Sequence, residues 1–382
     1  MKKLQLSSTM IYNFCLCFYS VILILNSTFF DFLFPFFNVV VKLAKYFFVG
    51  ALLFVFVDSK QSKNKIVFTF IISIITLFIF CIHIDKDLII LVLLLISFPK
   101  NQNLTKLSHT MSLLNIFVIF GIVILSKLGF LADIVTVQHG TVRHSLGFVG
   151  ANAFANCVAS SIFIYLYSKK NNIKLINAFL IFLLMILIFS ITNSRFAFYF
   201  VVFDLIISLV MKNNLEKDNF FKKIIYFLSK YLFPFLLFFM IAITIYFSKN
   251  SNSELYLKIN GIFTGRIWQS VYFYNKYGLS LLGHEIEIIG VKEAILSGKS
   301  WFGIDTAYLN YSLRYGLLFM IFFAVLYIKL GDRIKKKKDF YAAIYIVLIC
   351  IMGITENILF LPNFNISLIF IAEMLSKKDD DR

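Results

Sequence analysis

The chain has 382 residues, of which 60% are hydrophobic and 15% are charged, and its formal net charge is +17. A soluble domain carries about 45–50% apolar and about 25% charged residues, so this composition excludes an ordinary soluble enzyme. Disordered chains are excluded because they are poor in apolar groups. The apolar stretches are continuous rather than alternating, which argues against a transmembrane β-barrel. The composition therefore predicts an all-α, polytopic integral membrane protein with a single membrane domain over residues 1–382.

Twelve apolar stretches are candidates for membrane spans, because a helix needs about 20 apolar residues to cross a bilayer. The fourth and the eleventh are short. The predicted spans are Met10–Phe29, Val39–Val57, Ile66–Ile84, Leu88–Phe98, Leu113–Ile134, Gly150–Tyr167, Leu175–Ile191, Phe196–Met211, Ile224–Phe247, Ile304–Lys329, Phe340–Met352 and Phe360–Met374.

The distribution of Lys and Arg predicts the orientation of these spans. With a cytoplasmic N-terminus, the cytoplasmic segments carry 23 Lys and Arg residues and the external segments carry 10, six of them in one long external loop over residues 248–303. Cytoplasmic loops are enriched in Lys and Arg, whereas long loops translocate with weak regard to charge. Both termini are therefore predicted to be cytoplasmic, and the positive charge has a membrane explanation that does not involve nucleic acid.

Three arginines are predicted on the external side, each in a polar turn: Arg143, Arg195 and Arg266. A guanidinium is planar, permanently charged and able to hold phosphate oxygens through two hydrogen bonds. Several of them at one membrane face are suited to binding a lipid diphosphate. The alternative is that each forms a local salt bridge or contacts lipid headgroups. Arg314 is predicted inside a span, where a buried charge marks a function or a buried partner.

Carboxylates and imidazoles on the external side are candidates for acid–base chemistry. Asp305 is predicted in the first turn of the tenth span, as a cap or a general base, and Tyr308 shares its helix face. Glu356, in the last external turn, is either an arginine partner or a second acid–base group. His144 is external, and no metal is expected because metal-ligand spacing is missing from the sequence. Asn152 begins a span as a cap or a sugar ligand.

The sequence contains no motif for nucleotide chemistry. A phosphate-binding P-loop, a dinucleotide fingerprint and a Gly-x-Ser-x-Gly nucleophile motif are all missing from it. A substrate is therefore expected to arrive already activated, and no cofactor is expected.

The layout of the chain and four of its stretches resemble the Wzy-type polymerases of bacterial O-antigen and capsule repeat units. The shared layout is about twelve spans, one long external loop late in the chain and isolated external arginines. The related O-antigen ligases often carry His at the position that aligns with Asp305, and Asp at this position fits a polymerase better. The stretches are Arg143–Phe148 running into Asn152, Thr192–Arg195, Thr264–Trp268 and Asp305–Gly316.

The resemblance implies a metal-independent glycosyl transfer at the external face of the bacterial cytoplasmic membrane. The donor would be an oligosaccharide linked through diphosphate to undecaprenol, and the acceptor would be the end of a second lipid-linked repeat unit. Asp305, or else Glu356 or His144, would deprotonate the acceptor hydroxyl. Arginines would neutralise the diphosphate leaving group as its charge develops.

The resemblance also implies further contacts and partners. The expected partners are membrane lipids, a chain-length regulator and a flippase. Two alternatives remain, an O-antigen ligase and a transporter of lipid-linked glycans. A transporter needs charged groups along its helices, whereas this chain places its polar groups in external loops. The residues expected to bind substrate are Arg143, Arg195, Arg266, Arg314, Asn152, Trp268 and Tyr308.

Overall fold

The computed structural model describes residues 7–58, 63–82, 86–138, 140–212 and 220–376. Both termini, whose cytoplasmic location is predicted, lie outside these residues. Up to residue 212 the elements are α1 (Ser8–Asn26), α2 (Phe30–Leu33), α3 (Phe37–Asp58), α4 (Lys63–Ile82), α5 (Lys86–Ile96), α6 (Leu104–Lys127), β1 (Val135–Gln138), β2 (Thr141–His144), α7 (Ala151–Lys169), α8 (Leu175–Thr192) and α9 (Arg195–Met211). From residue 220 they are α10 (Phe220–Lys249), α11 (Glu254–Ile262), α12 (Arg266–Tyr277), α13 (Val291–Ser297), α14 (Ala307–Arg314), α15 (Gly316–Lys336), α16 (Phe340–Met352) and α17 (Ser367–Ser376).

Five of the described helices are long and apolar enough to cross a membrane, namely α1, α3, α6, α8 and α10. Shorter apolar helices lie at Ile66–Ile82, Asp87–Ile96, Phe340–Met352 and Ser367–Ser376. The chain is therefore a nearly all-helical membrane protein. The total of twelve spans stays a prediction.

The chain divides into two compact units, which we describe separately. The first comprises the described residues within Met1–Ser62, Leu93–Asp218 and Leu361–Arg382. The second comprises those within Lys63–Val92 and Asn219–Phe360.

In the first unit, α6 packs against α1 and α7, and α7 packs against α8 and α9. The hydroxyl of Ser20 on α1 donates to Asn115 Oδ1 on α6 at 2.8 Å, which satisfies these two atoms inside the unit. The antiparallel hairpin β1–β2 follows α6, and β2 contacts α8. The predicted fifth span, Leu113–Ile134, is therefore placed wrongly, because the helix is Leu104–Lys127 and the chain after it turns into the hairpin.

In the second unit, α10 packs against α12, α14, α15 and α16. It has 30 residues, which at 1.5 Å per residue is about 45 Å and exceeds the roughly 30 Å thickness of a bilayer core. At the closest approach of α10 and α15, a Cβ added to Gly331 would lie 2.5 Å from the Cα of Lys230. Only glycine allows this contact.

The prediction of one continuous tenth span over Ile304–Lys329 is wrong. The helix begins at Ala307 and is interrupted at Tyr315, which separates α14 from α15. Gly316 has a left-handed φ of +84°, and a Cβ there would lie 2.3 Å from the carbonyl oxygen of Leu281. The next two backbone N–H groups donate to the carbonyls of Ser280 and Leu281 at 3.0 and 3.1 Å. Residues of the long loop thus accept the backbone N–H groups at the start of α15, where the helix is interrupted.

The predicted last span, Phe360–Met374, also differs from the structure. Its helix is confined to Ser367–Ser376 and is preceded by turns. Pro362 has no N–H to continue a helix. Asn365 then accepts the backbone N–H of Ser367 through Oδ1 at 3.0 Å, which fixes the later start.

Candidate functional site

Three segments of the second unit meet at Arg266, the first residue of α12. The turn before it places Thr264 and Gly265 in left-handed conformations, with φ values of +50° and +86°, and turns the arginine inward. Its Nε donates to the carbonyl oxygen of Thr355 at 2.6 Å, and Nη1 donates to the Thr264 hydroxyl. Nη2 donates to Glu356 Oε1 at 3.0 Å. Residues about 90 positions apart are thereby joined.

The carboxylate of Asp305 faces the same guanidinium, with Oδ2 3.6 Å from Nε of Arg266. The backbone N–H of Asp305 donates to Gln269 Oε1, one turn along α12, at 3.2 Å. Asp305 does not lie in the first turn of a helix as predicted, because Thr306 is the N-cap of α14. We call Arg266, Asp305, Glu356 and the groups that hold them the Arg266 cluster.

The two carboxylates of the cluster differ in accessibility. The side chain of Arg266 is 9% exposed, that of Glu356 is 19% exposed and that of Asp305 is 33% exposed. Burial raises the pKa of Asp305, and although the charge of Arg266 and the hydrogen bond with Gln269 act in the opposite direction, the pKa stays above its ordinary value. A raised pKa makes the ionised carboxylate a stronger base. Asp305 is thus the more accessible base of the cluster.

Exposed aromatic side chains follow Arg266 along α12. Trp268 is exposed, and its backbone N–H donates to Asn260 Oδ1 at 2.9 Å. Its ring centroid lies 5.9 Å from that of Tyr272 and 6.1 Å from that of Phe302. The cluster is therefore bordered by an aromatic surface of the kind that apolar and hydroxyl-bearing ligands contact.

Tyr308 is buried in the helix packing, and Arg314 lies at a helix end. Tyr308 is fully buried, its hydroxyl donates to the carbonyl oxygen of Cys350 at 2.9 Å, and its ring packs on Phe233. Its contacts hold α14 against α16 and α10. Arg314 ends α14, about 10 Å along the helix from Ala307 at 1.5 Å per residue, and its guanidinium lies over the ring of Tyr315 at 5.6 Å. It lies at the end of a helix, not deep within one.

A second polar cluster lies in the first unit, around Arg143 on β2. Nε of Arg143 donates to the carbonyl oxygen of Thr192 at 2.5 Å. Nη1 donates to the side chain of Gln138, and Nη2 donates to Asn152 Oδ1 and to Ser194 Oγ. These four acceptors are neutral oxygens, and the bonds orient the guanidinium. We call these residues the Arg143 cluster.

Helix ends surround the Arg143 cluster. Thr192 ends α8, Ser194 is the N-cap of α9, and Asn152 is in the first turn of α7. The N-cap residues of α7 and α9 form no side-chain cap, and the Ser194 hydroxyl instead donates to Asn152 at 2.9 Å. Arg195 is the exposed first residue of α9, and its side chain has no hydrogen bond within the described part of the chain. The starts of α7 and α9, the end of α8 and the guanidinium of Arg143 thus meet at this cluster, with Arg195 next to it.

His144 is not brought to the Arg143 cluster, although it is the next residue. Successive residues of a strand point to opposite faces, and His144 pairs with Val135 while Arg143 pairs with Thr136. His144 Nδ1 lies 2.7 Å from Asp133 Oδ2, and Asp133 Oδ1 accepts the N–H groups of Ser145 and Leu146. Burial acts to raise the pKa of Asp133, but these hydrogen bonds and His144 lower it below its ordinary value. The pair fixes the base of the hairpin.

The sequence pointed to the central arginines and acids but missed several of their partners. Asp133 was overlooked, although an acidic residue eleven positions before a histidine in one polar segment was a usable signal. Gln138 and Gln269 had no distinguishing pattern. The carbonyl oxygens of Thr192 and Thr355 are backbone atoms, which no side-chain motif identifies.

No protein-family model, no curated protein and no solved structure matches this chain. Within the described ranges, no group of three or more His, Cys, Asp or Glu side chains is placed to hold a metal ion.

Proposed function

We propose that the chain is a glycosyltransferase of the bacterial cytoplasmic membrane that polymerises oligosaccharide repeat units carried on undecaprenyl diphosphate. The observation that carries this proposal is the Arg266 cluster. In it, a partly exposed carboxylate with a raised pKa faces a buried arginine and lies in the same unit as an exposed aromatic surface. Arg266 and Asp305 lie in stretches that resemble Wzy-type polymerases, and Glu356 is joined to them through Arg266.

In the proposed reaction, Asp305 accepts the proton of the acceptor hydroxyl. The acceptor hydroxyl oxygen attacks the anomeric carbon of the donor sugar, and the bond from that carbon to the diphosphate oxygen breaks. The hydroxyl proton passes to the carboxylate of Asp305, and the polyprenyl diphosphate leaves with the bonding electron pair. General base catalysis of this kind contributes about 10²–10⁴-fold to a rate.

Arg266 is a positioning residue in this proposal, not a ligand of diphosphate. Its side chain is nearly buried and its guanidinium faces the carboxylates of Asp305 and Glu356. A guanidinium held in this way keeps two acidic side chains at fixed positions, and its charge favours the ionised form of Asp305. Asp305, the proposed base, and Arg266 therefore act together.

Arg143 and Arg195 are proposed to bind the diphosphate of a lipid-linked substrate. The positive ends of α7 and α9 add to the charge of these two side chains, and helix starts favour phosphate oxygens. Asn152 and Ser194 accept hydrogen bonds from Nη2 of Arg143 and hold its guanidinium in a fixed orientation.

Deletion of the gene, followed by gel analysis of the surface glycan, tests the proposal. A polymerase mutant is expected to leave single repeat units in place of long chains, and a plasmid copy of the gene should restore the long chains. Unchanged chain length would contradict the proposal. Loss of all surface glycan would favour a transporter, and long chains that remain on undecaprenyl diphosphate would favour a ligase.

A further inference from the structure

The hairpin β1–β2 has one polar and one largely apolar face. The register pairs Val135 with His144, Val137 with Val142 and Thr136 with Arg143. Cross-strand partners share a face, and alternate residues of a strand do too. Val135, Val137 and Val142 therefore lie together with His144, opposite Arg143. The three valines are 52%, 72% and 54% exposed, and His144 is paired with Asp133 at the base of the hairpin.

The position of the hairpin identifies what covers this face. It follows α6 after seven residues and is joined to the end of α8, where Asn193 Nδ2 donates to Thr141 Oγ1 at 2.8 Å. Both helices are long and apolar enough to span a bilayer. A hairpin attached to the ends of two such helices lies at the membrane surface.

An exposed apolar stripe continues from α6 toward the hairpin. Phe117, Phe120, Ile124 and Leu128 are exposed at helical spacing, and on a membrane-spanning helix such a stripe faces lipid. Lys127 ends the helix and is exposed, as is typical where a long cationic side chain reaches the headgroups. Phe130, also exposed, extends the apolar surface beyond the helix.

We propose that the hairpin is a membrane-interface element whose Val135–Val137–Val142 face is immersed at the boundary between lipid headgroups and acyl chains. The opposite face then holds Arg143 at headgroup level. Immersion removes three exposed valine side chains from water, and the favourable free energy is roughly proportional to the apolar area removed. The inference depends on the geometry of the first unit and is independent of any enzymatic activity.

Site-specific tryptophan fluorescence in proteoliposomes tests the inference. The chain has two tryptophans, Trp268 and Trp301, and changing both to Phe gives a background without tryptophan fluorescence. A single reporter is then introduced as Val137→Trp on the apolar face, or as Thr136→Trp on the opposite face as the matched control. Val142→Trp is a second reporter on the apolar face, in case one substitution disturbs the hairpin.

The vesicles contain phosphatidylcholine brominated at defined acyl positions, and iodide is the aqueous quencher. Val137→Trp and Val142→Trp are expected to be quenched severalfold more by shallow bromolipid than Thr136→Trp, and severalfold less by iodide. Strong iodide quenching of both apolar-face reporters, with no bromolipid effect, would overturn the inference. Protection from both quenchers would also overturn it and would indicate that a second copy of the chain covers the valines.

Discussion

The Arg266 cluster and the Arg143 cluster each centre on one guanidinium, but the two arginines have different surroundings. Arg266 is nearly buried and faces two carboxylates, so its charge is balanced by acidic side chains inside the protein. Arg143 is partly exposed and bonds to neutral oxygens at the ends of three helices. The role of an arginine in a polar turn therefore depends on the side chains and carbonyl oxygens that it bonds to. One cluster is suited to holding acids in place, and the other to receiving an anion.

Loss of the proposed base should have the largest effect. Asp305→Asn keeps the size of the side chain but removes its basicity, and is expected to reduce repeat-unit polymerisation about 10²–10⁴-fold. The measurement is the rate of chain extension from purified lipid-linked repeat units. Asp332→Asn is the matched control in the same unit, because Asp332 is a half-exposed carboxylate bonded to Lys230 at 2.7 Å. Equal rates for the two variants would remove Asp305 from the mechanism.

Arg266 and Arg143 should differ in how much each contributes to the stability of the fold. Arg266→Gln leaves two carboxylates without their cation, and breaking a buried charge pair costs about 3–5 kcal/mol. Arg143→Gln removes hydrogen bonds to four neutral acceptors and leaves no carboxylate among them without its cation, which is the costlier defect. Thermal unfolding in one detergent should therefore show the larger loss for Arg266→Gln. A larger loss for Arg143→Gln would reverse the contrast drawn between the clusters.

The carboxylate at the base of the hairpin should stabilise it in a pH-dependent way. The folded pKa of Asp133 lies below its ordinary value of 3.8, so its contribution is present above that value and is lost as the pH falls through the lowered pKa. Asp133→Asn is expected to cost about 1.5–3 kcal/mol near neutral pH. The difference from the unmodified protein in denaturant unfolding should shrink in acid, and a difference independent of pH would exclude ionisation as its cause.

Arg195 should affect substrate binding without affecting the fold. Its side chain is exposed at the start of α9, so Arg195→Ala should leave the melting temperature unchanged. Loss of one contact to a diphosphate is expected to weaken binding about tenfold, or about 1.4 kcal/mol. The readout is the KM for the lipid-linked substrate at fixed ionic strength, with Lys212→Ala, at the other end of α9, as control. Equal KM values for both variants would contradict a diphosphate site here.

The smallest expected effect is a shift in pH dependence. If ionised Asp305 is the base, activity is lost as the pH falls through its pKa, which lies above the ordinary 3.8. The hydrogen bond with Gln269 lowers that pKa. Gln269→Leu should therefore raise it, and the acid limb of the pH–rate profile should move to higher pH by less than about one unit. A shift to lower pH would show that another group controls the limb.

The sequence predicted the helical membrane class because continuous apolar runs have few other stable environments. It also selected Arg143, Arg195, Arg266, Asp305 and Glu356, since a rare charged residue between apolar runs is conspicuous. It did not predict the hairpin, because residues 135–144 alternate for only a few positions. It also extended one helix through residue 316, because apolar composition does not reveal a backbone that must bend to meet the carbonyl of Leu281.

Composition and charge pattern by themselves determined that this chain is a membrane protein of helices with sparse charges in its turns. Only the tertiary structure decided which charges meet. Arg266 and Glu356 are 90 positions apart, and Arg143 and Asn152 face each other only because a strand and a helix start are brought together. The physical reason is that hydrophobic burial acts over whole segments and leaves a pattern in the sequence, whereas an ion pair depends on positions fixed to within about 1 Å by the packing of distant segments.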